Sequence, residues 1–128
     1  MRARTSPGPY VTLTWFVWLI LALWIIRASS GTWAPDGPRI WAPLLVSPRD
    51  AARNMLVYLP FGILGMFALR RSDWRGVLRV VAIAGVFSLM VETRQLYTVD
   101  RVASVTDVVW AVAGTAVGAV GVRLWLSR

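Results

Sequence analysis

The 128-residue sequence contains no cysteine, no histidine and no lysine. Without cysteine it has no disulfides and no thiol nucleophiles, and without histidine it has no imidazole bases and little capacity for zinc chemistry. Acidic residues are also scarce, because only six Asp and Glu accompany fourteen arginines, which leaves a formal charge of +8. These absences favour a protein without a metal or an organic cofactor, and they argue against an enzyme without excluding one.

Apolar residues are in excess, and they are concentrated in blocks. They make up 57% of the sequence, with a mean hydropathy of +0.59, whereas soluble domains are about 45–50% apolar. The length leaves room for one domain, residues 1–128. We therefore predict an all-α integral membrane protein built as a bundle of four transmembrane helices. The predicted spans are about 10–26, 48–69, 77–92 and 105–126.

Two of these spans are preceded by residues that favour the start of a helix. Ser47 is followed by Pro48 at the first helical position and by Asp50, which together predict an N-cap. Ser104 and Asp107 repeat the spacing between serine and acid, so Asp107 is expected to help cap the fourth helix. The alternative for Asp107 is a role in binding a ligand.

The connection between the first two predicted helices is rich in Trp, Pro and Gly. It contains Trp33-Ala34-Pro35 and later Trp41-Ala42-Pro43. Proline opposes regular helix, and tryptophan favours the headgroup zone of a membrane. We predict a Trp/Pro-rich interfacial loop that anchors the chain at the membrane surface, with a ligand clamp as the less favoured interpretation.

The N-terminal segment also resembles a secretory signal peptide. Arg2 and Arg4 precede the apolar stretch Val11–Ile26, as in such peptides. Three tryptophans within the stretch and three further apolar blocks after it favour an uncleaved membrane anchor instead.

The arginines flank the apolar blocks, which predicts contact with anionic headgroups rather than with nucleic acid. With the N-terminus in the cytoplasm, eight arginines lie on the inner side and six on the outer side. The positive-inside rule then favours cytoplasmic termini at both ends. Membrane lipids are the expected partners, and a homo-oligomer remains open.

Five polar residues are predicted to meet at the outer ends of the spans. Asn54 lies near the start of the second helix, Glu92 and Gln95 close the third, and Arg101 and Asp107 bracket the start of the fourth. The alternating chain direction brings all five to one membrane face, which makes them the candidate binding site. Because an unpaired charge near hydrocarbon is costly, Arg101 is the predicted partner of Glu92, and Asn54 is expected to donate to a carboxylate oxygen of Glu92 or to the amide oxygen of Gln95.

Three motifs within 54–118 carry a family resemblance. They are the Asn-x5-Pro-Phe-Gly stretch that starts at Asn54 and includes Pro60 and Gly62, the Glu-x-x-Gln step at Glu92 and Gln95, and Arg101 followed by Asp107, Gly114 and Gly118. In this order they resemble the VanZ-like family. The sequence departs from the family at Ser104 and Thr106, where acids are usual, and at Ala111, where asparagine is usual.

The motif residues also have structural interpretations. Pro60 is expected to kink the second helix. Gly114 and Gly118 have the spacing of a close helix contact, and Gly62 is expected to be a structural residue of the same motif set.

The resemblance implies a small multi-pass protein of the bacterial cytoplasmic membrane, in a family named for a teicoplanin-resistance protein. Three functions follow as hypotheses. The first is a non-catalytic envelope protein that binds a lipid or a lipid-linked cell-wall intermediate at the outer face, or that modulates glycopeptide susceptibility. The second is an intramembrane enzyme that acts on a lipid-linked substrate with Glu92 as its base, and the third is an oligomeric transporter subunit.

Overall fold

The computed structural model describes residues 9–36, 40–42 and 47–128. It contains four long helices, α1 (Pro9–Ala28), α2 (Pro48–Ala68), α3 (Trp74–Gln95) and α4 (Val105–Trp125). Each is long and apolar enough to cross a membrane, so the predicted all-α bundle of four transmembrane helices is confirmed. The predictions that concern Arg2, Arg4, Arg39 and Pro43 fall outside the described residues.

Side-chain capping explains where two of the helices begin. The Ser47 hydroxyl accepts a hydrogen bond from the Asp50 amide at 3.4 Å, as predicted for α2. α3 begins at Trp74 rather than at the predicted Val77, because Asp73 caps it and accepts from the Gly76 amide at 2.9 Å. Residues Trp74, Arg75 and Gly76 therefore form the first turn of α3.

α4 begins at Val105 as expected, but without the predicted capping bond. Ser104 occupies the N-cap position in an extended conformation, and its side chain makes no capping hydrogen bond. Its backbone belongs instead to a two-residue strand, β2 (Ala103–Ser104), which pairs in parallel with β1 (Trp41–Ala42). The capping interpretation of Ser104 was therefore wrong, because a tertiary contact fixes the backbone there.

Three glycines bring α2 and α4 into backbone contact. A Cβ atom added at Gly114 would overlap the Met55 carbonyl oxygen, and one added at Gly118 would overlap the Leu59 carbonyl oxygen. From the opposite side, a Cβ atom at Gly62 would overlap the Thr115 carbonyl oxygen. The close helix contact predicted from the glycine spacing is therefore the α2–α4 interface. α2 continues as one helix through Pro60.

An aromatic cluster joins α1 and α3 to this central pair. Phe61 of α2 contacts Trp18 of α1, with ring centroids 4.9 Å apart, and stacks on Phe87 of α3 at 5.5 Å. Tyr58 packs against both phenylalanines. α1 otherwise exposes most of its apolar side chains, as expected for a helix at the edge of a bundle in lipid.

The described part of the Trp/Pro-rich loop is attached to the connection between α3 and α4. Trp33 pairs with Thr98 in an antiparallel bridge and stacks on Tyr97, with the rings 5.5 Å apart and inclined by 17°. The Ala34 amide donates to the Tyr97 carbonyl at 2.7 Å. These contacts build one end of the bundle, whereas the position of the loop at the membrane surface stays a prediction.

Candidate functional site

A cavity of about 240 Å³ lies at the end of the bundle where α1 and α3 finish and α2 and α4 start. Antiparallel packing brings these four helix ends together, and the segment that follows α3 forms the rest of the wall. All five residues predicted to meet at one membrane face line this cavity: Asn54, Glu92, Gln95, Arg101 and Asp107. Their role in binding stays a prediction, but their proximity is now a structural fact.

Glu92 is 4% exposed and has a different partner from the one expected. Its Oε2 atom accepts a hydrogen bond from the backbone amide of Ser104 at 2.8 Å. No ion pair between Arg101 and Glu92 is found among the described residues. The ion pair found there joins Arg71 and Asp73, whose side chains are both exposed. The predicted direct ion pair does not form, because strand β2 places a backbone donor against the carboxylate, and the Arg101 charge acts on Glu92 only at longer range.

Arg101 instead reaches across to α1. Its Nη2 atom donates to the Ala28 carbonyl at 3.0 Å, at the last residue of that helix. Carbonyl groups at a helix C-terminus lack partners within the helix and carry partial negative charge, which makes them suitable acceptors for a guanidinium. Arg101 therefore ties α1 to the connection before α4, while its other N–H groups remain available at the cavity.

Asn54 differs from expectation in its contact, and Gln95 adds a further link between α3 and α1. The Asn54 side chain interacts with the Asp107 carboxyl group, and no hydrogen bond from it to Glu92 or Gln95 is found among the described residues. The Gln95 Nε2 atom donates to the Ser29 carbonyl at 3.4 Å, which adds a second link to the end of α1. Asp107 thus serves as a cavity residue joined to α2, and its suggested contribution to a Ser104 cap is not what the structure shows.

Sequence reasoning missed two buried polar residues of the cavity wall. Tyr58 and Ser88 are 4% and 3% exposed, and their side chains lie next to each other in the wall. Tyr58 lies four residues after Asn54, and Ser88 lies four residues before Glu92. Because residues four apart share one helix face, this spacing was a signal that could have found both.

Acidic residues are concentrated at the cavity. Its lining includes four of the six acidic residues of the chain but only two of its fourteen arginines. These charged lining residues are Asp50, Arg53, Glu92, Asp100, Arg101 and Asp107. The Asp100 carboxylate is held by the Thr32 amide, which donates to Oδ1 at 2.6 Å. The cavity is therefore an acidic site in a strongly basic protein.

The positions where the sequence departs from the resembled family are all buried near this site. Ser104 and Thr106 are 9% and 8% exposed, and both line a smaller neighbouring cavity, while Ala111 is fully buried. The acidity of the main cavity therefore rests on residues other than these three. Among residues 9–36, 40–42 and 47–128 no group of three or more acidic side chains is arranged to hold a metal ion.

Fold and site together define a four-helix membrane protein with an acidic polar cavity at one end of its bundle. A family model described as VanZ/LLP1 matches residues 8–126, which is nearly the whole chain. The protein belongs to the VanZ/LLP1 family. The resemblance seen over 54–118 is thereby confirmed, and the match extends it to α1, to the start of α2 and to the rest of α4. No curated protein and no solved structure matches the chain.

Proposed function

We propose that the cavity binds the polar headgroup of a lipid or of a lipid-linked cell-wall intermediate, and that the protein thereby modulates susceptibility to glycopeptides such as teicoplanin. The observation that carries this proposal is the convergence of Asn54, Glu92, Gln95, Arg101 and Asp107 around one cavity between the helix ends. Polar groups in membrane helices are costly, so their concentration at a single end favours a role in binding.

Orientation is part of the proposal. Among the described residues, six arginines lie at the end of the bundle opposite the cavity, including the pair Arg70-Arg71 between α2 and α3, and five lie at the cavity end. The positive-inside rule therefore supports a cavity that opens at the outer face of the bacterial cytoplasmic membrane, with both termini inside. Glycopeptides act at that outer face, so a cavity that opens there lies on the side of the membrane where these antibiotics bind.

Binding without catalysis is supported by how the polar side chains of the site are engaged. One Glu92 oxygen is held by the Ser104 amide, Arg101 is anchored to Ala28, and Asp107 interacts with Asn54. Such a network fixes the shape of a site and leaves few groups free to move protons. The enzyme alternative predicts turnover of a lipid-linked substrate that stops in Glu92→Gln, and the proposal predicts no turnover.

Antibiotic susceptibility tests the proposed function. Deleting the chain should lower the teicoplanin concentration that inhibits growth, and the wild-type chain should restore it. Glu92→Gln removes one negative charge but keeps the shape of the side chain and an acceptor oxygen, so it should accumulate normally in the membrane and fail to restore resistance.

The matched control is Asp73→Asn, which also removes one negative charge but lies at the opposite end of the bundle. Asparagine caps helices as well as aspartate does, so this variant should accumulate normally and restore resistance. Equal restoration by Glu92→Gln and Asp73→Asn, at equal protein levels, would contradict the proposed function.

A further inference from the structure

The charges of the cavity point to the chemistry of its ligand. Four carboxylates and two guanidiniums line it, whereas twelve arginines and two acidic residues make up the charges of the rest of the chain. A purely anionic ligand would meet an excess of like charge here, although arginines are abundant elsewhere in the protein. The site is therefore suited to a ligand that brings positive charge together with a smaller anionic part.

Burial separates these charges into an inner and an outer part of the cavity. Glu92 is buried beside Tyr58 and Ser88, whereas Asp50 and Arg53 are exposed and Arg101 is half-buried. The Glu92 carboxylate in the inner part has little contact with water. A charged donor group of a ligand would therefore stabilise this carboxylate more strongly than it would one at the surface. The inner part favours a cationic donor, and the arginines of the outer part favour an anion.

Aromatic side chains in the same wall support a cation. Tyr58 and Trp24 both line the cavity. The faces of such rings attract ammonium groups, and this attraction adds to that of a carboxylate when the group is desolvated. A sugar hydroxyl would also donate hydrogen bonds to these acceptors, but it carries no positive charge to balance the excess of negative charge in the cavity.

Cavity size limits how much of a ligand can enter. Pockets that enclose drug-sized molecules measure about 300–1,000 Å³, and this cavity measures about 240 Å³. A single headgroup fits, whereas a complete disaccharide-peptide intermediate does not.

We propose that the ligand is a phosphate ester bearing a primary ammonium group, with its ammonium between Glu92 and Tyr58 and its phosphate beside Arg53 and Arg101. This inference rests on the proposed function, because it names the chemistry of the headgroup that the same cavity binds. A lipid such as phosphatidylethanolamine carries this chemistry, and so does water-soluble O-phosphoethanolamine.

Lipid binding by the full chain in detergent tests the proposal. The probes are phosphatidylethanolamine, phosphatidylglycerol, whose glycerol replaces the ammonium, and phosphatidylcholine, whose quaternary ammonium has no N–H donor. Native mass spectrometry measures the bound fraction of each. Phosphatidylethanolamine should bind about tenfold more tightly than either other lipid, which is the size of effect expected for one charge-assisted hydrogen bond. Glu92→Gln should remove this preference, and Asp73→Asn should keep it.

The source of the headgroup is distinguished by competition. Displacement of phosphatidylethanolamine by O-phosphoethanolamine but not by glycerophosphate supports the proposal with a water-soluble ligand. Retention of phosphatidylethanolamine against both, with its preference over phosphatidylglycerol intact, supports it with a lipid ligand.

Two results would overturn the inference and have different consequences for the proposed function. If phosphatidylglycerol binds as tightly as phosphatidylethanolamine and Glu92→Gln weakens the binding of both, the ammonium group does not contribute to recognition, but the cavity still binds headgroups. If neither lipid binds above a background equal in wild type and Glu92→Gln, and Glu92→Gln also restores resistance, both proposals fail.

Discussion

Replacing Gly114 and Gly118 with leucine is expected to abolish the folded protein in detergent. Side chains at these positions would overlap the Met55 and Leu59 carbonyl oxygens, which belong to the backbone of α2 and cannot move independently of that helix. Overpacking of this kind costs about 1–3 kcal/mol or more at each site. The measurements are the monodisperse yield in size-exclusion chromatography and the thermal midpoint.

The chain provides a matched control for this experiment on the same helix. A Cβ atom at Gly121 would meet nothing within 4 Å. Gly121→Leu should therefore leave yield and midpoint unchanged or slightly improved, since leucine favours helix more than glycine does. Normal yield from Gly114→Leu/Gly118→Leu would show that α2 and α4 do not meet at these glycines.

Replacing Glu92 with leucine is expected to destabilise the protein, whereas replacing it with glutamine is not. Leucine leaves the buried Ser104 amide without an acceptor, because that amide donates to Glu92 Oε2 at 2.8 Å. A buried donor without a partner costs about 1–3 kcal/mol. Glutamine retains an amide oxygen at the same place and can accept the bond.

The contrast between these two variants separates the structural role of Glu92 from its role in binding. Glu92→Leu should lower the thermal midpoint of the purified protein, and Glu92→Gln should remain close to wild type while failing to restore resistance. Equal midpoints for Glu92→Leu and wild type would mean that the bond to Ser104 contributes nothing to stability. A fall of equal size in both variants would make the charge itself the stabilising element.

Sequence patterns predicted the helices because each is a long apolar block, which needs no knowledge of its neighbours. They also predicted the contact through Gly114 and Gly118. Two glycines four residues apart leave a gap on one helix face, and the sequence alone shows this spacing. Hydropathy did not predict the start of α3 at Trp74, because the segment around Asp73 is charged. The helix begins there because the Asp73 side chain caps it.

Partners within the site were harder to predict than its members. Alternating chain direction was sufficient to place Asn54, Glu92 and Asp107 at one end. Their hydrogen bonds depend on loop backbone, because Glu92 bonds an amide that is positioned by pairing of β2 with β1. Sequence reasoning that pairs opposite charges does not identify a backbone amide as the donor, so it predicted Arg101 as the partner of Glu92.

The central claim is that the cavity opens at the outer face of the membrane, and labelling of single cysteines in intact cells tests it most directly. Because the sequence has no cysteine, labelling of the purified chain reports only the introduced thiol. Val102 lines the cavity and is 63% exposed, and Ser127 is exposed near the opposite end of the bundle. A membrane-impermeant maleimide should label Val102→Cys in intact cells and Ser127→Cys only after permeabilisation. Labelling of Ser127→Cys but not Val102→Cys in intact cells would place the cavity at the cytoplasmic face and contradict the account.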